Sequence, residues 1–357
     1  MSRLTRAETQ ERNRTRVLAA ARDEFAERGY RETKIDVVAE RAELTRGAVY
    51  SNFPGKRALY FAVLADLAER APAAAPAPAP GRTTGDALAA LARTWLARLP
   101  TSAETARLGM DVLPEVMADE TIRQSYAQLM ALDAVLLGLA LERLRPDGRL
   151  VRVAETVLTA LHGASQLAAA APGFVEPFNV VSACEQLAYL DVEDGWPELP
   201  FTTQVRAVDA AWSPPAAWDS VRAQDFTPAE DGIVAVLGLH RAAAVEHAVR
   251  AAPPDAAVTA VLVSGSPREQ IPLARLAVAE LTGCLRQAFP EYAWPRLRVA
   301  CDGTGALAAT AGVPAVSDTT EVAIRIAGGR VVSRAEGYGA CHVVTTAQDR
   351  AARSFRE

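Results

Sequence analysis

The spacing of apolar residues changes character once along this chain, near residue 226. That change restricts the available folds more than any composition figure. Before it, apolar side chains recur at three- and four-residue intervals, the period of helices with one buried face. After it, short continuous apolar runs at 233–239 and 258–264 alternate with helical stretches, the pattern of buried strands covered by helices. An all-α N-terminal part and an α/β C-terminal part follow. With 357 residues, and roughly 100–200 per domain, the chain has room for two or three domains.

The helical part opens with a stretch over 8–28, in which Val17, Leu18, Ala21 and Phe25 share a face and Gly29 marks the end. Thr33 stands ready to cap a helix over 34–42, and Thr45 one over 46–52, with Glu43 and Leu44 between them. Pro54-Gly55 makes a turn before a fourth helix, 56–70. Prolines at 72, 76, 78 and 80 then block helix formation and predict an extended connector. Further helices are expected at 85–99, 103–117, 119–145, 150–171 and 175–191. Residues 193–225 carry Trp196, Trp212 and Trp218 without a clear period and read as an ordered linker.

Beyond the linker, strands are expected at 233–239, 258–264, 297–300, 320–327 and 330–335, the last two joined by Gly328-Gly329. With helices at 241–252, 268–289, 304–311 and 339–350, the order is βαβαβαββα, a mixed sheet covered on both faces. The expected domains are thus 1–70, 81–192 and 226–350.

Charge divides unevenly. Residues 1–70 hold 14 Arg or Lys against 11 Asp or Glu, a net of +3, while the remainder carries −8. A basic end on an acidic body suits contact with nucleic acid at that end. The polar N-terminus lacks the apolar core of a secretory signal, and no apolar run is long enough to span a membrane. Four widely spaced cysteines with no C-x-x-C pair fit a reducing cytoplasm rather than a disulfide scaffold, and no spacing matches a metal site. No cofactor is implied.

Two short helices joined by a tight turn, over 33–52, form a helix-turn-helix, whose second helix lies in a major groove about 12 Å wide. Thr33, Ile35, Val38-Ala39, Ala42, the run Thr45-Arg46-Gly47-Ala48-Val49-Tyr50, Phe53, Lys56 and Leu59 resemble the TetR family of bacterial repressors. That family usually has Gly where Glu43 stands. The resemblance implies DNA contacts by Thr33, Lys34, Thr45, Arg46, Gly47, Ala48, Tyr50, Asn52 and Lys56. Arg46 would fork onto a guanine edge, Thr45 and Tyr50 would reach phosphate oxygens, and Lys56 would bind a phosphate. It also implies a helical body over 81–192 that holds a small-molecule inducer, with helices 150–171 and 175–191 pairing two subunits on a palindromic operator. Trp95, Met110, Met117, Tyr126, Met130, His162 and Gln166 are the candidate ligand-lining residues. Leu158, Leu161, Val180, Val181, Leu187 and Leu190 are the candidate dimer residues.

The 226–350 order resembles the thioredoxin-like fold, most closely from Val299 to Val332. Redox chemistry on that fold needs an activated Cys at the start of the long helix. The loop there, Ser264-Gly265-Ser266-Pro267-Arg268, has none, so a redox-inactive accessory domain is expected, with its helix start open to an anion. Three other roles compete: catalysis by the C-terminal domain, docking of a protein partner by it, and oxidation sensing by Cys184, Cys284, Cys301 or Cys341, of which Cys341 adjoins His342.

Overall fold

The computed structural model describes residues 5–71, 79–99, 108–195, 199–200, 202–253 and 256–346. The Pro-rich connector, the first part of the expected 103–117 helix, Trp196 and the end of the last helix lie largely or wholly outside these residues.

Helix α1, Arg6–Glu32, starts on a capping box: the Thr5 hydroxyl accepts from the Glu8 amide, and the Glu8 carboxylate accepts from the Thr5 amide. Gly29 bends it with φ of 79°, where a side chain would be strained, and the chain then resumes helical turns to Glu32. Helices α2 (Ile35–Arg41) and α3 (Arg46–Asn52) fold back against α1. Val38, Ala39 and Val49 meet Val17, Ala21 and Phe25 in one core. Glu43, between α2 and α3, has φ of 50°. The turn needs a left-handed residue, which explains the usual glycine. Here Glu43 takes that conformation, and its carboxylate pairs with Arg16 at 2.6 Å. Helix α4, Lys56–Glu69, is buried continuously from Ala58 to Ala65.

The body comprises α5 (Thr84–Ala97), α6 (Val112–Met117), α7 (Glu120–Leu144), α8 (Val151–Ala170) and α9 (Pro177–Leu187). Gly138 of α7 lets α8 approach closely, since a side chain there would strike the Val151 backbone at 2.9 Å.

The C-terminal half forms a six-stranded sheet in the order β1-β8-β7-β4-β5-β6. Its strands are β1 (Arg206–Ala211), β4 (Gly232–Gly238), β5 (Ala257–Val263), β6 (Leu297–Cys301), β7 (Glu321–Ala327) and β8 (Arg330–Glu336). A separate hairpin pairs β2 (Ala217–Asp219) with β3 (Gln224–Phe226). Strands β4, β5 and β6 are parallel, while β7, β8 and β1 continue antiparallel. Helix α10 (Val245–Ala251) follows a 3-10 turn after β4. Helix α11 (Pro267–Ala288) links β5 to β6, α12 (Ala306–Thr310) follows β6, and residues 340–346 are helical. From 232 onward the order is βαβαβαββα, as the sequence indicates.

The segment 193–225 is more than a connector. Residues 206–211 extend the sheet as an edge strand beside β8. Five of the six residues of β1 are exposed, so they show no apolar alternation, and the strand left no periodic trace. Nor do Trp212 and Trp218 join the halves. Trp212 is buried on the outer face of the sheet, where its indole N–H donates to the Pro228 carbonyl at 2.6 Å, and Trp218 is exposed.

Helix α11 makes the junction instead. It rests on β5 and β6 with one side and on α4, α5 and α7 with the other. Leu273, Leu276, Ala277, Leu281 and Leu285 are buried in a core that runs without a break from α1 to the inner face of the sheet. A helix buried along most of its length and packed on both sides belongs between two layers.

Candidate nucleic-acid interface

Helix α3 begins where Thr45 stops the chain in extended backbone and its hydroxyl accepts from the Ala48 amide at 3.2 Å. The hydroxyl hydrogen stays available to an outside acceptor. Val49 and Asn52 are buried beneath α3, which turns Arg46, Gly47 and Tyr50 outward and leaves Ala48 half-buried. The Arg46 guanidinium lies 3.3 Å from the Asp36 carboxylate, 3.4 Å from the Tyr50 hydroxyl and 5.4 Å from the Tyr50 ring centre. The Arg46 side chain is 61% exposed, and a surface pair of this kind is worth about 0–1 kcal/mol. Arg46 is therefore held in place without being committed. Its charge is reinforced, because the Tyr50 hydroxyl and then Asp36 raise its pKa. Lys34, exposed at the start of α2, makes no side-chain cap.

Three of the nine expected contacts point inward. The Thr33 hydroxyl is buried and donates to the carbonyls of Gly29 (2.8 Å) and Glu24 (3.2 Å), closing the end of α1. The Asn52 amide donates to the Ala48 carbonyl at 2.9 Å from a buried position. Lys56 is the clearest departure from a phosphate role. Its ammonium donates to the carbonyls of Tyr30 (2.8 Å), Arg31 (3.1 Å) and Thr33 (3.2 Å) and sits 4.4 Å from the Tyr30 ring centre. An ammonium has three N–H donors, so the end of α1 takes them all.

Other cations lie beside α3 that its own sequence does not signal. Arg14 of α1 lies over the Phe53 ring at 4.7 Å. Arg57 of α4 bridges the carboxylates of Glu269 (2.7 Å) and Asp119 (3.0 Å). Arg268, on the first turn of α11, donates to the Ser51 carbonyl at the end of α3, at 3.4 Å. Partners more than 200 positions apart leave no local signal.

The ligand candidates do not gather in one place. On α5 and α8, the Trp95 indole donates to the Ser165 hydroxyl at 2.9 Å, and its ring meets His162 edge-on at 4.9 Å. Burial lowers the His162 pKa and favours the neutral ring. Tyr126 and Met130 share a face of α7 with Asp133, one and two turns on. Asp133 is buried, and its Oδ1 has no hydrogen-bond partner among the described residues. Burial, helped by Glu280 of α11, raises the Asp133 pKa well above the usual carboxylate range. Met110, Met117 and Gln166 lie on the surface, away from any such cluster.

At the start of α11, the Gly265 amide donates to Asp318 Oδ1 (3.2 Å) and the Ser266 amide to Ser264 Oγ (2.9 Å), so the expected anion site is already filled by the protein's own oxygens. Cys184, Cys284 and Cys341 are buried and Cys301 partly so. Burial pushes Cys184 up to about 11 and Cys284 and Cys301 up to about 12, and raises Cys341 as well. For Cys341 the nearby Glu321 adds to the rise. Among the described residues, no group of three or more His, Cys, Asp or Glu could hold a metal ion, and no helix is long and apolar enough to cross a membrane.

The model of bacterial regulatory proteins of the tetR family matches residues 17–63. Over 65 residues, 18% of this chain, the sequence is 43% identical to the HTH-type transcriptional regulator SrpR of Pseudomonas putida and covers 30% of it. It is also 43% identical over 65 residues to the uncharacterized HTH-type transcriptional regulator TtgW, likewise of Pseudomonas putida, covering 48% of it. The match thus spans less than half of either relative. Among solved structures, NalD, the secondary repressor of the MexAB-OprM multidrug efflux pump in Pseudomonas aeruginosa, aligns with 51% of this chain and 96% of its own at 22% identity and a TM-score of 0.34. A TetR transcriptional regulator from Rhodococcus sp. RHA1 aligns with 51% of this chain and 95% of its own at 18% identity and the same TM-score. The segment matched by the family model contains α2, α3 and the turn between them, so residues 17–63 are a helix-turn-helix segment similar to the N-terminal domain of tetR-family regulators.

Proposed function

We propose that this chain is a ligand-responsive transcriptional repressor that binds a palindromic operator as a homodimer. The observation that carries the reading is α3: a short helix anchored by Val49 and Asn52 whose other face offers Arg46, Gly47 and Tyr50 to a groove. The fold itself does not demand glycine at 47, since an added Cβ would meet nothing nearer than the Thr45 hydroxyl at 3.9 Å. Its smallness instead suits close approach by DNA. The 43% identity to HTH-type regulators over 65 residues supports the same conclusion.

The pairing surface proposed here differs from the sequence expectation. Leu158, Leu161 and Val181 are buried within the subunit's own core. Phe174 and Phe178 are more than 70% exposed, with Leu167, Tyr189 and Leu190 nearby in sequence and also exposed on or beside α8 and α9. Together these apolar groups suit a second copy of the chain. Of the ligand candidates, Tyr126 and Met130 beside the unsatisfied Asp133 are the strongest.

The C-terminal region is read as a redox-inactive, thioredoxin-like accessory domain. The βαβαβαββα order and the raised thiol pKa values support this, since a reactive cysteine needs a lowered one. No observation favours oxidation sensing or catalysis over regulation.

Selection from a pool of random duplexes, with sedimentation of the protein alone, tests the reading. Enrichment of inverted repeats by a dimer supports it. A monomer that enriches no sequence contradicts it. Phe178→Asp should give monomers with weakened DNA affinity and an intact fold.

A further inference from the structure

We infer that the C-terminal half supplies part of the DNA-contacting surface, with Arg268 binding a backbone phosphate beside the recognition helix. This rests on the reading of α3 as the helix that enters the groove.

Arg268 sits on the first turn of α11, yet its guanidinium reaches the Ser51 carbonyl at the C-terminal end of α3, 3.4 Å away. Both residues are exposed. That carbonyl belongs to the partly negative end of a helix and orients the cation without consuming it. A guanidinium carries more N–H donors than one carbonyl can engage, and among the described residues Arg268 makes no ion pair.

Neighbouring charges are already matched. Glu269, the next residue, is held by Arg57 at 2.7 Å, and Arg57 also takes Asp119 at 3.0 Å. Arg268 is thus an uncommitted cation at this edge of α3.

Its position is fixed rather than accidental. Helix α11 lies against α4 through Leu273, Ala277 and their buried neighbours, and Arg275 pairs with Glu69 farther along. The N-terminal head, α1 to α4, and the first turn of α11 are therefore joined by a shared packed face.

Groove geometry names the partner. A helix with its side chains is about 10–12 Å across, and the major groove is about 12 Å wide. A helix seated there has phosphates on both walls of the groove, so a cation held at the end of α3 beside Ser51 meets phosphodiester oxygen rather than a base. Arg268 would then contribute affinity without sequence preference.

The test is a salt titration of binding to the selected duplex, using the full-length chain and its Arg268→Ala and Arg268→Lys variants. Each phosphate contact contributes about 0.9 to the slope of log affinity against log salt, so a dimer losing two contacts should show a slope shallower by about 1.8. Arg268→Lys should retain most of the slope, and the preferred sequence should be unchanged in both variants. Circular dichroism should show Arg268→Ala melting like the wild type, which separates contact from folding. Wild-type and Arg268→Ala slopes that coincide overturn the inference while leaving α3 as the reader of the groove. A wild-type chain that binds no duplex removes that reading, and this inference with it.

Discussion

Helices α3 and α11 differ in what they bury and in how visible that was beforehand. Helix α3 has seven residues, buries Val49 and Asn52, and turns the others to solvent or the rim of the core. Helix α11 has 22 residues, most of them buried, and is gripped from both sides. The first relies on a capped start and a rigid support to present side chains outward. The second holds the sheet, the body and the N-terminal head in one core. In a short exposed helix, residue identity tracks the surface presented. In a sandwiched helix, it tracks the packing of whatever lies on either side.

The largest test of that contrast removes α11. Cutting the chain before residue 226 uncovers the apolar faces of α4 and α5, which α11 covers. The truncated protein should be insoluble or partly unfolded, read by soluble yield and circular dichroism. A folded, operator-binding fragment would show that the shared core is dispensable.

A smaller effect separates two cations of the head. Lys56→Ala abandons three carbonyls at the end of α1 and should cost about 1.5–3 kcal/mol, lowering the melting temperature by several degrees. Arg46→Ala gives up a surface pair and should leave the melting temperature nearly unchanged.

The α7–α11 contact should respond to pH. Burial, and then the nearby Glu280, raise the Asp133 pKa. A group whose folded pKa is raised holds its proton more tightly in the folded state, so stability falls as pH rises above the usual carboxylate range. Asp133→Asn removes one such group. Its melting temperature should gain on the wild type between pH 5 and pH 8, whereas a constant difference would mean that the carboxyl does not titrate there.

The smallest effect is in the turn. Glu43→Gly relieves a left-handed φ of 50° at the cost of the Arg16 pair, a net gain of about 0.5–1 kcal/mol. Calorimetry that finds a loss would make the ion pair the stronger term.

What the sequence made legible follows the same division. Strands β4 to β8 showed as apolar runs, and α1 to α4 through period, caps and glycine. Strand β1 was invisible because an edge strand exposed on both faces has no apolar rhythm. Thr33, Asn52 and Lys56 bond inward for one reason: side-chain type shows what a residue can bond, whereas local folding decides whether it faces inward. The Lys56 ammonium suits a phosphate and three carbonyls equally, and the end of α1 reaches it first. The Arg268–Ser51 contact, 217 residues apart, depends on the tertiary fold alone.

The central claim is that α3 reads the groove while Lys56 supports it from behind. Arg46→Ala and Lys56→Ala, compared by selection and by titration at fixed salt below the melting temperature of both, test it most directly. Arg46→Ala should lose about 1–3 kcal/mol per half-site and relax the preference at one base pair of each. Lys56→Ala should keep the wild-type preference. An Arg46→Ala protein with unchanged affinity and preference would contradict the account.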